Sequence, residues 1–257
     1  MKNKLLNYLA ALSIYGLLAL LIVYMYPSRD SFNLNNIFKY KEIIIDGFFT
    51  TILVSVLALI FSVIFGFLLY LLTTSKVMFL QIMGSIFDDI VFGSPLVVFV
   101  GVIFYFIAVP LGMNNRLIAG IIALSLYMAP YMKNLFVGAM ESIDDLQYQA
   151  MKVFGFSTFQ KYRYIIFPQL LKIMLPPLVG NLTFIVKGSS LLYFISVDEL
   201  YSTIDTAMAN TYAVVEGYLT LFVLYLLITI PLIRATRYME RRISNGNQNK
   251  ESEPLIW

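Results

Sequence analysis

The sequence predicts an all-α integral membrane protein with about six transmembrane helices. Three observations carry that prediction. Of its 257 residues, 60% are hydrophobic and only 13% charged, with a mean hydropathy of +0.80; a soluble domain is nearer roughly one-half apolar and one-quarter charged. Apolar runs recur at the length of about 20 residues that a helix needs to cross a hydrocarbon core of about 30 Å. Lysine and arginine are distributed unevenly between the loops, the signature that orients membrane helices. The same composition excludes other classes. Without cysteine there are no disulfides or thiolate chemistry, and without histidine the commonest general base and metal ligand is missing. A net charge of +3 is too small to suggest nucleic acid as a partner.

Lys2 and Lys4 precede an apolar segment from Leu5 to Tyr26. A basic start and apolar centre suggest a signal peptide, but the run exceeds the usual ~7–15-residue apolar core and no small-x-small cleavage site follows. An uncleaved signal-anchor helix is therefore expected. Pro27 to Glu42 is polar and reads as an extracytoplasmic loop. Gly47–Leu72 is the second span; Ser55, Ala58, Ser62 and Gly66 recur on one face, so a neighbouring helix can approach closely there. Ile90–Val109 is the third. Asp88 and Asp89 precede it, where charge in hydrocarbon would be costly, so they lie near the interface, face the bundle interior or find a basic partner. Gly93-Ser94-Pro95 either bends this helix or contacts ligand. Gly112–Arg116 forms an outer turn, and Leu117–Val137 spans back with Pro130 permitting a bend.

A charged, amphipathic passage follows from Glu141 to Pro168, between two long hydrophobic runs. Ser142-x-x-Asp145 and Ser157-x-x-Gln160 have the form of capping boxes. Ile143, Leu146, Ala150 and Val153 recur at helical spacing. Gly155 supplies a turn, because it adopts left-handed angles without a Cβ penalty. Phe159, Tyr162 and Ile166 form a second stripe, expected to end at Pro168, which cannot continue the amide ladder. The passage reads as a helix–turn–helix outside the hydrocarbon, available to another protein.

Beyond it, Lys172 and Lys187 bracket a charge-free run of fourteen residues, about 21 Å of helix and short of the roughly 30 Å core. Pro176-Pro177 interrupts it further. Either both lysines snorkel to opposite interfaces, or the span over Leu170–Leu191 is broken within the membrane and lines a cavity. Asp198, Glu199 and Asp205 mark a polar outer segment with a short surface helix. Gly217–Ile233 is the last span, and the tail reads as disordered beyond Asn245. With both termini cytoplasmic, thirteen lysines and arginines fall on the inner side and four on the outer, with Lys187 left between them. That places the 141–168 passage in the cytoplasm. Three regions result: an N-terminal helix and outer loop (1–42), a transmembrane domain (43–243) and a polar cytoplasmic tail (244–257).

The passage resembles the cytoplasmic coupling signature of ATP-binding-cassette importer permeases: Glu-Ala-Ala, then Gly, then Ile-x-Leu-Pro. Its spacing is kept in Gln149-Ala150-Met151, three residues, Gly155, nine residues and Ile165-Ile166-Phe167-Pro168. The departures are Gln for Glu, Met for the second Ala and Phe for Leu. LPPLVGN followed by KGSSL narrows the likeness to the polar amino-acid permeases (histidine, glutamine, glutamate and arginine type). Gly93-Ser94-Pro95-Leu96 aligns with the family's Arg-Gly-Thr-Pro-Leu, with Phe92 in place of the arginine, Asp89 where an acidic residue often precedes it, and Gly188 in place of an aspartate. The resemblance covers about residues 43–243.

It implies a permease subunit of the cytoplasmic (inner) membrane that imports amino acids. The implied partners are two ATPase subunits that bind the ATP and magnesium, a second permease chain (identical or different), an extracytoplasmic solute-binding protein and the surrounding lipid. Gln149, Ala150, Met151, Gly155, Ile165 and Pro168 would couple to the ATPase. The chain has no phosphate loop, metal cluster or nucleophile–base pair of its own, so an enzyme is not expected. For the solute path, Lys187 beside Ser189 and Ser190 is a cation that could meet a carboxylate; alternatively it snorkels or pairs with Asp198. Asp89, Ser94 and Pro95 join it as candidates. The rival classes are an ion-coupled secondary transporter using Asp88 or Asp89, and a non-transporting membrane anchor.

Overall fold

The computed structural model describes residues 32–251, with side chains as far as Ile243, and a few isolated positions before them. Apart from those isolated positions, the expected first span, Leu5–Tyr26, lies outside the described residues, as do residues 252–257. After a short helix α1 (Asn35–Phe38) come α2 (Lys41–Thr73), α3 (Met78–Gly93), and α4 (Leu96–Val102), continued by a π-helical stretch over Ile103–Ala108. Next are α5 (Arg116–Glu141), α6 (Asp145–Val153) and α7 (Thr158–Gln160). A π-helical segment (Lys161–Ile166) leads into α8 (Phe167–Ser189) and a 3₁₀ turn (Ser190–Ile195); α9 (Leu200–Thr211) and α10 (Val214–Glu251) complete the fold. Among the described residues, Lys41–Thr73, Arg116–Glu141, Thr158–Ile195 and Val214–Ile243 are long and apolar enough to cross a membrane, and Leu96–Ala108 is a shorter apolar helix.

The bundle is organised around the contact of α2 with α5. Ser55, Ala58, Ser62 and Gly66 are all buried in it, as the small-residue stripe predicts. A Cβ added at Gly66 would lie 2.3 Å from the Met132 Cβ and 2.9 Å from the Ala129 carbonyl oxygen, so only glycine permits this approach. Ser125 Oγ donates across the same contact to the Ala58 carbonyl at 3.3 Å. Leu124, Met128 and Met132 of α5 then meet Val54, Phe99, Ile185 and Leu192 in the main core.

A second core, at the end remote from α6, gathers Ile37, Ile44, Leu200, Ile204, Met208 and Leu221. Glu199, expected on an exposed polar segment, is fully buried there as the cap of α9. Its carboxylate accepts from the backbone N–H groups of Tyr201 (3.0 Å) and Ser202 (2.9 Å) and from the Tyr225 hydroxyl (3.1 Å). Burial raises its carboxyl to about 7, against the lowering effect of those donors.

The interrupted span is not where the prolines suggest. Pro176 and Pro177 lie inside continuous helix, since neighbouring helices in a membrane bundle compensate for the amides that proline removes. The break falls in the span expected at Ile90–Val109. There α3 ends at Gly93, Ser94 and Pro95 are extended, and α4 restarts at Leu96. Pro168 does not terminate its helix either. It sits in the first turn of α8, where a missing N–H is tolerated, and the preceding π-helical turn carries the ladder past it. At the other end of the chain, α10 continues to Glu251, past the point where disorder was expected.

Candidate functional site

The 141–168 passage presents a cluster of exposed apolar side chains at one end of the bundle. Its first turn does not start as the Ser142 motif suggests. Ser142 closes α5 and donates to the Ala139 carbonyl at 2.7 Å, while Asp144 caps α6 by accepting from Leu146 N–H at 2.8 Å. The Ser157–Gln160 capping box forms as expected, with Ser157 N–H donating to Gln160 Oε1 at 2.8 Å and Gln160 N–H to Ser157 Oγ at 3.3 Å. Between the two, Gly155 adopts φ +70°. Gly155 N–H donates to the Lys152 carbonyl at 3.1 Å and Phe156 N–H to the Met151 carbonyl at 3.0 Å, the paired bonds of a Schellman closure.

The predicted stripe divides into two. Ile143, Met151 and Ile166 pack together and seat the passage on the bundle. Leu146, Val153, Phe154 and Phe159 are turned outward, at 67%, 85%, 79% and 73% exposure. Gln149 and Ala150 are exposed beside them, and Ile165 and Pro168 are half-buried. A side-chain bond from Gln169 Nε2 to Gln147 Oε1 (3.0 Å) ties α6 to α8. The result is a held platform with open apolar side chains, suited to a groove on another protein.

Farther into the bundle, Ser94 and Pro95 form the break itself, and the Tyr127 hydroxyl donates to the Ser94 carbonyl at 3.3 Å. Phe92 packs edge-on against Tyr131, with ring centroids 5.2 Å apart. Gly188 faces the restart of α4: a Cβ there would lie 3.0 Å from Leu96 Cδ2. Position 188 is therefore a packing position in this chain. Asp88 is buried and ion-paired with Lys133 of α5, while Asp89 is exposed. Of the alternatives open to the two carboxylates, Asp88 has found a basic partner.

The hydroxyls of the two serines expected to accompany Lys187 are engaged in local backbone bonds. Ser189 is buried, with its hydroxyl donating to the Val186 carbonyl at 2.9 Å, and Ser190 Oγ donates to the Lys187 carbonyl at 2.8 Å. Among the described residues Lys187 makes no ion pair with Asp198. It opens instead into a cleft of about 310 Å³ between α8 and α10, shared with Thr183, Thr236, Arg237 and Glu240. Sequence reasoning missed these α10 residues because Arg237 and Glu240 read as the start of a basic tail. The available signal was Thr236 and Glu240, which lie four apart and so share a helix face.

Spanning helices around a broken one, with an outward-facing helical platform at one end, define a membrane transport subunit. The chain belongs to the family of binding-protein-dependent transport system inner membrane components, whose model matches residues 63–245. It is 29% identical over 215 residues to the probable glutamine ABC transporter permease protein GlnM of Bacillus subtilis (strain 168), covering 83% of this chain and 99% of the relative. It is 28% identical over 216 residues to the glutamine transport system permease protein GlnP of Escherichia coli (strain K12), covering 82% and 98%. Among solved structures, an amino acid ABC transporter crystallised with histidines superposes with a TM-score of 0.72 at 25% identity, covering 82% of this chain and 98% of the other. The inward-facing MetNI methionine ABC transporter shares the fold, with a TM-score of 0.65 at 18% identity over 79% and 97% of the two chains.

Proposed function

We propose that this chain is the permease subunit of an ATP-driven importer of polar amino acids, with residues 43–243 as its transmembrane domain. The observation that carries this reading is the exposed apolar platform of Leu146, Val153, Phe154 and Phe159, at the coupling spacing of Gln149, Ala150, Met151, Gly155, Ile165 and Pro168. Two ATPase subunits, which bind the ATP and magnesium, dock on it from the cytoplasm. The excess of lysine and arginine on that side supports an orientation with both termini inside. A second permease chain completes the path, and an extracytoplasmic binding protein delivers the solute. The names of the relatives support an amino acid as cargo.

The cleft between α8 and α10 suits such a solute. Lys187 and Arg237 offer cations to a carboxylate, and Glu240 offers an anion to the α-ammonium. Closure of the ATPase pair would push on α6 and on the start of α8, and α8 runs unbroken from the platform to the cleft. That continuity suits a lever. The break at Ser94 and Pro95, just before the Leu96 that packs against Gly188, gives the opposing wall a place to yield.

The test is uptake of labelled amino acids into vesicles holding the whole complex. Uptake that requires ATP inside and survives a protonophore supports the reading. Uptake driven by an ion gradient without the ATPase, or no uptake at all, overturns it. A Lys187→Met variant with unchanged apparent affinity would remove Lys187 from the path.

A further inference from the structure

A groove of about 830 Å³ opens between α2 and α8 and is walled by apolar side chains, among them Phe67, Leu71, Phe167 and Leu171. It lies on the opposite side of α8 from the polar cleft, since one is shared with α2 and the other with α10. The groove therefore does not belong to the solute path proposed above. It extends from Arg163, in the π-helical segment, along α8 to Leu178, about 22 Å at about 1.5 Å per residue. That is more than half of a hydrocarbon core of roughly 30 Å, the reach of one acyl chain in one leaflet.

Its two ends differ in chemistry. At the end near the platform, Tyr70, Phe159, Tyr162 and Arg163 join the lining; elsewhere the lining is leucine, isoleucine, valine, methionine or phenylalanine. Tyr70 lies three residues before Thr73, where the apolar run of α2 gives way to the polar Thr73–Lys76. This marks the head-group level, where tyrosines collect. Arg163 carries the groove's positive charge at that level, and the groove contains no acidic residue. A membrane-depth groove with apolar walls and an arginine at its mouth is complementary to a lipid with an anionic head group.

We infer that this groove holds an anionic phospholipid of the leaflet on the platform side, with its phosphate on Arg163 and its acyl chains along Phe67, Leu71, Phe167 and Leu171. The bound lipid lies beneath the π-helical turn through which the platform joins α8. It would fill the hollow there and brace the turn against load. The interaction is independent of which solute is carried.

The test uses the full chain in its complex, purified in mild detergent. Native mass spectrometry is expected to find retained phosphatidylglycerol or cardiolipin, with occupancy roughly fivefold lower in Arg163→Gln, the equivalent of about 1 kcal/mol for one basic group at the surface. A second measurement does not depend on that variant. In vesicles, the fluorescence of a Leu171→Trp protein should be quenched several-fold more by brominated phosphatidylglycerol than by brominated phosphatidylcholine. Equal quenching by the two lipids would overturn the inference. So would quenching by neither, which means that protein covers the groove, or retention unchanged in Arg163→Gln. None of these results bears on whether transport is ATP-driven.

Discussion

Replacing Gly155 perturbs the platform with little else affected. Its left-handed φ of +70° closes α6 through the Gly155–Lys152 and Phe156–Met151 bonds. A Cβ added there meets nothing within 4 Å, so the effect of a side chain comes from the backbone alone. Left-handed angles cost an L-residue about 1–2 kcal/mol, more for a β-branched one. A shift of that size lowers the ratio of closed to open turn by roughly 5–30-fold. Gly155→Val should therefore keep membrane abundance, because the buried cores are untouched, while ATP-dependent uptake in proteoliposomes falls by up to that factor and ATP hydrolysis persists. Gly155→Asn should stay near wild type, since asparagine tolerates this conformation. Gly155→Pro should be at least as damaging as valine, because it also removes the N–H that reaches Lys152. Normal uptake by Gly155→Val at normal abundance would refute the reasoning, as would an asparagine variant as poor as the valine one.

Two further predictions concern buried charge. Asp88→Asn leaves Lys133 without its counter-ion, which should destabilise the purified protein by about 3 kcal/mol, a typical effect of breaking a buried pair. An Asp88→Leu/Lys133→Met double variant should recover most of the loss in thermal unfolding, and failure to recover would assign the pair another role. Glu199 titrates near 7 when folded, above its ordinary 4.5. The folded state therefore binds its proton more tightly, so that contribution to stability is complete below about pH 4.5 and is lost as pH rises through about 7. Unfolding temperature in detergent should fall across that window, and Glu199→Gln should flatten the fall. An unchanged slope in that variant would place the titration elsewhere.

The features that could be read from sequence were those set by local chemistry. The small-residue stripe of α2, the left-handed Gly155 and the Ser157–Gln160 box each depend on a few adjacent residues, and each is found in the fold. Features decided by neighbouring helices were misread. Pro176-Pro177 has a strong local preference to break a helix, which membrane packing overrides, while the weaker Gly93-Ser94-Pro95 carries the interruption. Glu199 looked like surface because its charge said so. Its burial depends on Tyr225, twenty-six residues downstream, and on Thr51, on a helix far earlier in the chain. Lys187 stands out in the sequence as a candidate for the solute path, but its cleft companions Arg237 and Glu240 come from a helix whose register against α8 no local pattern reveals.

The chain contains no cysteine, so a thiol introduced at Val153, 85% exposed on α6, is unique within it. Cross-linking from Val153→Cys in intact membranes is the most direct test of whether a separate ATPase drives this permease through the platform. The account predicts a covalent adduct with the ATPase subunit whose yield changes when ATP is supplied, and no labelling by an impermeant maleimide from outside the cell. Labelling from outside, or ATP-driven uptake with no adduct from Val153 or its neighbour Phe154, would contradict it.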